Sequence, residues 1–261
     1  MPLRTTIIFL LLLIILVFVF LMDILLGSIQ IPIQKIFSVI LTNHHDGYSE
    51  IIWQFRLPKA LTATLVGSSL AVSGLLMQTL FKNPLADPYV LGISSGASLG
   101  VALLIMASGA SWIPIFMVTS GWGQIFAAII GALLILMLVL LFSTRINDTV
   151  SLLIVGMMFG SITGALVNVL QSITNPDALK IFVIWTMGSL SAVSWEYMYI
   201  MFPMLFAGLL ISLLLPKQLN ALLLGENYAK SIGVTVFRLR FIIILVTCLL
   251  AGAATAFTGP I

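Results

Sequence analysis

Long apolar runs, separated by short clusters of polar residues, Gly and Pro, set the pattern of the chain. The first carries no charge from Thr5 to Met22. A helix needs about 20 apolar residues to cross a bilayer, and that length recurs along the chain. The pattern predicts seven helices, over 7–27, 58–80, 90–107, 121–142, 151–172, 196–215 and 237–258. Strict alternation of apolar and polar positions, which a barrel strand requires, is missing. A spanning chain must satisfy its backbone in helices or in a closed barrel, so the expected class is an all-α, polytopic membrane protein.

Composition agrees with that reading. Charged residues make up 7% of the chain, against about 25% in soluble domains, and the mean hydropathy is +1.23. The polar groups are too few to clothe a folded surface in water. The first apolar run exceeds the roughly 7–15 residues of a signal peptide and no A-x-A pattern follows it, so it is read as an uncleaved first span. The single cysteine, Cys248, excludes an internal disulfide and offers no metal cluster.

Charge sets the orientation. With the N-terminus in the cytoplasm, seven of the eleven basic residues fall inside: Arg4, Lys82, Arg145, Lys217, Lys230, Arg238 and Arg240. Lys35, Arg56, Lys59 and Lys180 fall outside. This bias follows the positive-inside rule. The outer segment 28–57 includes "IPIQKIFSVI", which suits a helix lying on the bilayer surface. His44 and His45 are adjacent and would diverge on a helix, so no metal pair is expected there. The inner segment 217–236 is too polar to span, and Gly225 and Gly233 divide it into two short helices.

Between the second and third runs lies "FKNPLADPYVLGISSGA". Pro84 and Pro88 can end one helix and direct the chain into the next. Asp87 sits where it can cap that next helix. Gly92, Gly96 and Gly100 recur every fourth residue and read as a packing face. Gly156, Gly160, Gly164, Asn168 and Gln171 form a second stripe. Amides facing lipid are costly, so this stripe either borders a water-filled path or hydrogen-bonds a neighbouring helix.

Catalytic chemistry is not indicated. "GENYAKS" ends like a phosphate-binding loop but lacks the glycine before Lys230 and follows no strand. There is no H-E-x-x-H, no Ser-His-Asp set and no pair of carboxylates within the membrane. Asp23, at the end of the first run, has no evident partner at similar depth for a proton relay.

The stretch "WQFRLPKALTATLVGSSLAVSGLLMQTLFKNPLADPYVLGISSGASLG" resembles the permease family of bacterial type II ABC importers for iron–siderophores, haem and vitamin B12. In order along the chain, "SLLIVGMMFGSITGAL" is similar to that family's fifth helix, and "IWTMGSLSAVSWE" to the segment before its sixth. "LNALLLGENYAKSIGV" looks like its ATPase-docking loop, and "AGAATAFTGPI" like the start of a glycine-rich motif. The resemblance implies one transmembrane permease domain over 1–261, in the cytoplasmic membrane of a bacterium. It implies a second permease subunit, identical or not, with ATPase subunits inside and a solute-binding protein outside. ATP and Mg would be bound by the ATPase, with no cofactor, metal or catalytic residue in this chain. Family members run about 70 residues further and hold about ten spans, arranged as an inverted repeat. The chain stops at "TGPI", so about seven of those spans are expected here, as a fragment or a truncated product.

The resemblance also implies roles. Arg56 and Lys59 match basic positions that dock the binding protein, where facing charges steer encounter; the plainer reading makes them interfacial anchors. Asn83, Pro84 and Leu85 match a constriction at the cytoplasmic end of the path, and Thr149 and Val150 a second one. Leu223, Gly225, Glu226, Ala229 and Gly233 lie in the docking loop. Two alternatives stand beside the importer: an ion-coupled secondary transporter, which would need ionisable residues at mid-membrane, and a non-transporting membrane scaffold.

Overall fold

A computed structural model describes residues 3–27, 29, 31–32, 47–106, 120–146 and 148–261. Apart from Ile31 and Pro32, the expected surface helix lies outside the described residues, as do Lys35, His44 and His45.

The described residues form helices and no strands. In chain order these are α1 (Leu3–Leu25), α2 (Gly47–Phe81), α3 (Ile93–Met106), α4 (Gly121–Ser143), α5 (Thr149–Ile173), α6 (Pro176–Thr186), α7 (Trp195–Ser212), α8 (Pro216–Leu223), α9 (Glu226–Ser231) and α10 (Val236–Thr258). Six of them, α1, α2, α4, α5, α7 and α10, are long and apolar enough to cross a membrane, and α3 is a shorter apolar helix. The protein is an all-α, polytopic membrane protein.

Three elements differ from the sequence pattern. α2 begins at Gly47 rather than near 58, because a π-helical turn over Ile52–Arg56 carries it through a stretch whose Ser, Glu, Gln and Arg disguise its helicity. A second π turn, Cys248–Gly252, interrupts α10. α6 has 11 residues, well short of a span, so hydropathy does not reveal it. Its start is locally encoded, with Pro176 at the first helical position and the Asn175 side chain accepting from the Ala178 amide at 2.8 Å.

The chain divides into two compact bodies, 1–65 with 190–198, and 66–189 with 199–261. In the first, the C-terminal end of α1 packs on the start of α2. Ile24, Ile31, Ile52 and Ala60 are buried there, beside Phe20, Leu25, Tyr48, Ile51 and Leu57. The Trp195 indole donates to the Trp53 carbonyl at 2.6 Å. Only 6% of the apolar window of α1 is buried, so that helix is held mainly at one end.

The second body is built on glycine. Gly96 and Gly100 of α3 face Gly131 of α4, and a Cβ on Gly131 would sit 3.0 Å from the Gly100 nitrogen and overlap the Gly96 carbonyl. A Cβ on Gly156 of α5 would lie 3.0 Å from the Val90 carbonyl oxygen and the Leu91 Cα. Small residues thus let three backbones meet where side chains would hold them apart. α10 lies at the centre of this body, with 78% of its apolar window buried, Ile243, Ile244, Val246, Leu250 and Ala251 completely. Near its end, Gly188 (φ 63°) and Gly259 (φ 77°) face one another, and the Ser189 amide donates to the Thr258 carbonyl at 2.6 Å.

Candidate functional site

Near the end of α1 the sequence places Asp23, and in α2 it places Arg56 at the end of the π turn and Lys59 in the first turn of the α-helical run that follows. Arg56 is 8% exposed. Its Nη1 donates to the carbonyls of Ile24 at 2.7 Å and Leu25 at 2.9 Å, and its Nη2 to that of Ile29. The Ile24 and Leu25 carbonyls have no partner within α1, since a helix leaves its last four acceptors open, and a cation there also meets the negative end of the dipole. Gly27 leaves the room for this, because a Cβ on it would stand 2.7 Å from Nη2. Lys59 is half-exposed and pairs with Asp23 at 2.8 Å. This supplies the partner for Asp23 that the sequence did not reveal. The second carboxylate oxygen of Asp23 is buried without a hydrogen-bond partner among the described residues. A cavity of about 370 Å³ opens here, lined by Asp23, Gly27, Phe55, Arg56, Lys59 and Ser191 among others. Arg56 therefore fixes the end of α1, while Lys59 is the more accessible of the two cations.

The loop after α2 is closed by its own backbone. Lys82 takes a left-handed conformation (φ 48°), and the Asn83 amide reaches back to the Gln78 carbonyl at 3.1 Å. The Asn83 side chain accepts from the Leu85 amide at 2.9 Å, and the Gln78 amide group donates to the Pro84 carbonyl at 3.0 Å. Leu85 is left protruding, 85% exposed. Asp87 caps the next turn as the sequence indicates, accepting from the amides of Tyr89 at 2.6 Å and Val90 at 2.9 Å. A rigid polar turn thus presents one apolar side chain.

The second stripe changes character along α5. Gly156 and Gly160 pack against the backbone around Val90–Gly92, whereas among the described residues nothing lies within 4 Å of a Cβ on Gly164. Asn168 is exposed and Gln171 half-buried. One end of the stripe is a helix contact and the other end is open.

α5 begins at Asp148, whose carboxylate accepts from the amide and hydroxyl of Ser151 at 2.8 and 2.7 Å. Those two bonds, with a smaller contribution from Arg240, hold its carboxyl below the usual range. A depressed folded-state pKa gives stability that is present above the unfolded value and lost as pH falls through the folded one. Asp148→Ala should therefore speed amide exchange at Ser151 severalfold near neutral pH. Asp148→Asn, which also caps, should retain protection and lose its acid dependence. Val150, in the first turn of α5, is exposed.

The polar segment after α7 forms α8 and α9. α8 buries Leu219, Ala221 and Leu222, and α9 buries Ala229. Gly225, between them, has φ 125° and ψ 150°, a conformation essentially confined to glycine. Gly233 (φ 86°) ends α9, where the Val234 amide reaches the Ala229 carbonyl at 2.9 Å. Leu223, Leu224, Tyr228 and Ile232 remain exposed, Leu224 to 70%.

Sequence reading counted Arg240 only as an inner-side charge. In the fold it is buried, with Nη1 donating to the Ile146 carbonyl at 3.0 Å and Nη2 lying 3.4 Å from Glu226 Oε1. Its position in the apolar helix "VFRLRFIIIL" was the available signal, since a cation there requires a partner. A cavity of about 100 Å³ beside it is lined by Leu80, Lys82, Leu222, Glu226, Val236 and Arg240.

Comparison with known proteins follows the same outline. Residues 13–261 match the FecCD transport family. The uncharacterized ABC transporter permease protein YvrB of Bacillus subtilis is 32% identical over 90% of this chain and 68% of its own length. The hemin transport system permease protein HmuU of Yersinia pestis is 36% identical over 90% of this chain and 69% of its own. The vitamin B12 import system permease protein BtuC of Klebsiella pneumoniae is 37% identical over 80% and 61%. The chain thus spans about two thirds of the length of these relatives. Among solved structures, a metal-chelate type ABC transporter in an inward-facing conformation superimposes with a TM-score of 0.81 at 31% identity, over 96% of this chain and 75% of that one. With residues 13–261 of this chain matched, the chain belongs to the FecCD transport family of membrane permeases.

Proposed function

We propose that the chain is the permease subunit of an ATP-driven importer for a metal chelate, an iron–siderophore first, with haem or cobalamin as the other candidates. The observation that carries this reading is the apolar surface of α8–α9. A segment too polar to span leaves Leu223, Leu224, Tyr228 and Ile232 uncovered, as a docking face for an ATPase subunit would require. The substrate class is suggested by the hemin and vitamin B12 relatives and the metal-chelate neighbour. The N-terminus lies in the cytoplasm, and the membrane is the bacterial cytoplasmic one. ATP and Mg are held by the ATPase, and a second permease subunit completes the path. Asn83–Leu85 and Thr149–Val150 form constrictions, and Gly164, Asn168 and Gln171 face the water-filled path, which explains an exposed amide on a membrane helix.

On the outer side of the membrane, Lys59 and the Arg56-fixed end of α1 receive the binding protein. The permease, ATPase and binding protein reconstituted in vesicles should take up the iron–siderophore only with ATP. ATP-independent uptake driven by an ion gradient would refute the reading. Lys59→Gln should weaken binding-protein affinity about threefold to tenfold at low salt, an effect that fades as ionic strength rises. Titration of the binding protein onto vesicles measures this, and unchanged affinity removes Lys59 from the docking face.

A further inference from the structure

We propose that Arg240 is a positioning residue that links the ATPase-docking helices to the constriction at the start of α5. The inference rests on the docking role of α8–α9 and adds the connection that lets docking act on the path.

A buried guanidinium is costly unless its charge is paired. That of Arg240 divides its nitrogens between two separate elements, the Ile146 carbonyl ahead of α5 and the Glu226 carboxylate at the first residue of α9. The guanidinium is a rigid planar fork, so displacing one acceptor shifts the donor that holds the other. α9 can move as a unit, because it is bounded by Gly225 and Gly233, both at positive φ with open space around them. Only Asp148 and the residue before it separate Ile146 from Thr149 and Val150. The two contacts also differ in strength. The bond to Ile146 is of normal length, whereas Glu226 stands at 3.4 Å, longer than the roughly 2.7–2.9 Å of a tight charge-assisted bond. The adjoining cavity of about 100 Å³ gives room for that contact to tighten or open. The same cavity is also lined by Lys82, the residue before Asn83.

The test uses the complete importer in vesicles, with ATP hydrolysis and uptake measured on the same preparation. Arg240→Met should bind the ATPase and hydrolyse ATP as before, with uptake per ATP falling at least tenfold. Arg240→Lys should fall similarly, because an ammonium cannot hold both acceptors in one plane. Glu226→Gln, which leaves Arg240 bonded to Ile146, should lower the ratio less and add little to Arg240→Met in the double variant. It also serves as the test if Arg240→Met does not assemble. Wild-type uptake per ATP in Arg240→Met or Glu226→Gln, or strictly additive effects in the double variant, overturns the relay. Failure of the unmodified chain to bind the ATPase overturns the docking reading instead.

Discussion

Gly131→Leu is expected to abolish accumulation of the folded protein. A Cβ at 131 already overlaps the Gly96 carbonyl and sits 3.0 Å from the Gly100 nitrogen, and both obstacles are backbone. Neither can rotate away, so α3 and α4 must separate along their crossing. Overpacking in a tight core costs about 1–3 kcal/mol and sometimes more. Alanine should reach the upper end of that range, and leucine should exceed what the fold tolerates. Separation would also pull α3 from α5, because Gly92 of the preceding turn and Gly156 are in backbone contact. Gly67 gives the control: nothing lies within 4 Å of its Cβ position, and alanine in a helix is favoured over glycine by about 0.5–1 kcal/mol. Gly67→Ala should therefore match or exceed the wild type. Fluorescence-detected size exclusion and thermal unfolding in detergent compare these variants. A Gly131→Leu protein with a near-native Tm would refute the crossing.

Gly225→Val is expected to reduce uptake at least tenfold while leaving the global Tm within a few degrees of wild type. The reason is conformational, since no atom obstructs a side chain there. At φ 125° and ψ 150° an L-residue costs about 1–3 kcal/mol. The local chain can escape this by rotating, which reorients α9 and the exposed Tyr228 and Ile232 of the proposed docking face. Gly233→Asn should be milder, because φ 86° lies near the left-handed region that asparagine tolerates. Uptake and co-purification with the ATPase subunit measure both variants. Wild-type uptake by Gly225→Val would remove α8–α9 from the docking role.

The features legible in sequence are those set by near neighbours. The spans follow from run length, and Asp87 as a cap from its place before Pro88. The glycine spacing identified a helix face, but not that Gly96 and Gly100 meet Gly131 while Gly164 meets nothing. Partners distant in sequence stayed hidden for the same reason. Asp23 and Lys59 are 36 positions apart, Arg240 and Ile146 94 apart. Arg56 shows the limit most directly. Its residue type and motif suggested a surface charge, whereas its carbonyl partners belong to another helix and to the loop after it. The π turns are illegible for a different reason: one additional residue in a helical turn leaves composition and hydropathy unchanged.

The Arg56 contact also bears on the order in which the chain is made. Synthesis runs from the N-terminus, so α1 emerges from the ribosome before the residue that completes it. Its last carbonyls wait for Arg56, about 30 residues later, and until then water and lipid headgroups must serve them. The first span is thus started early and finished late, and what fixes its C-terminal end is the emergence of the second.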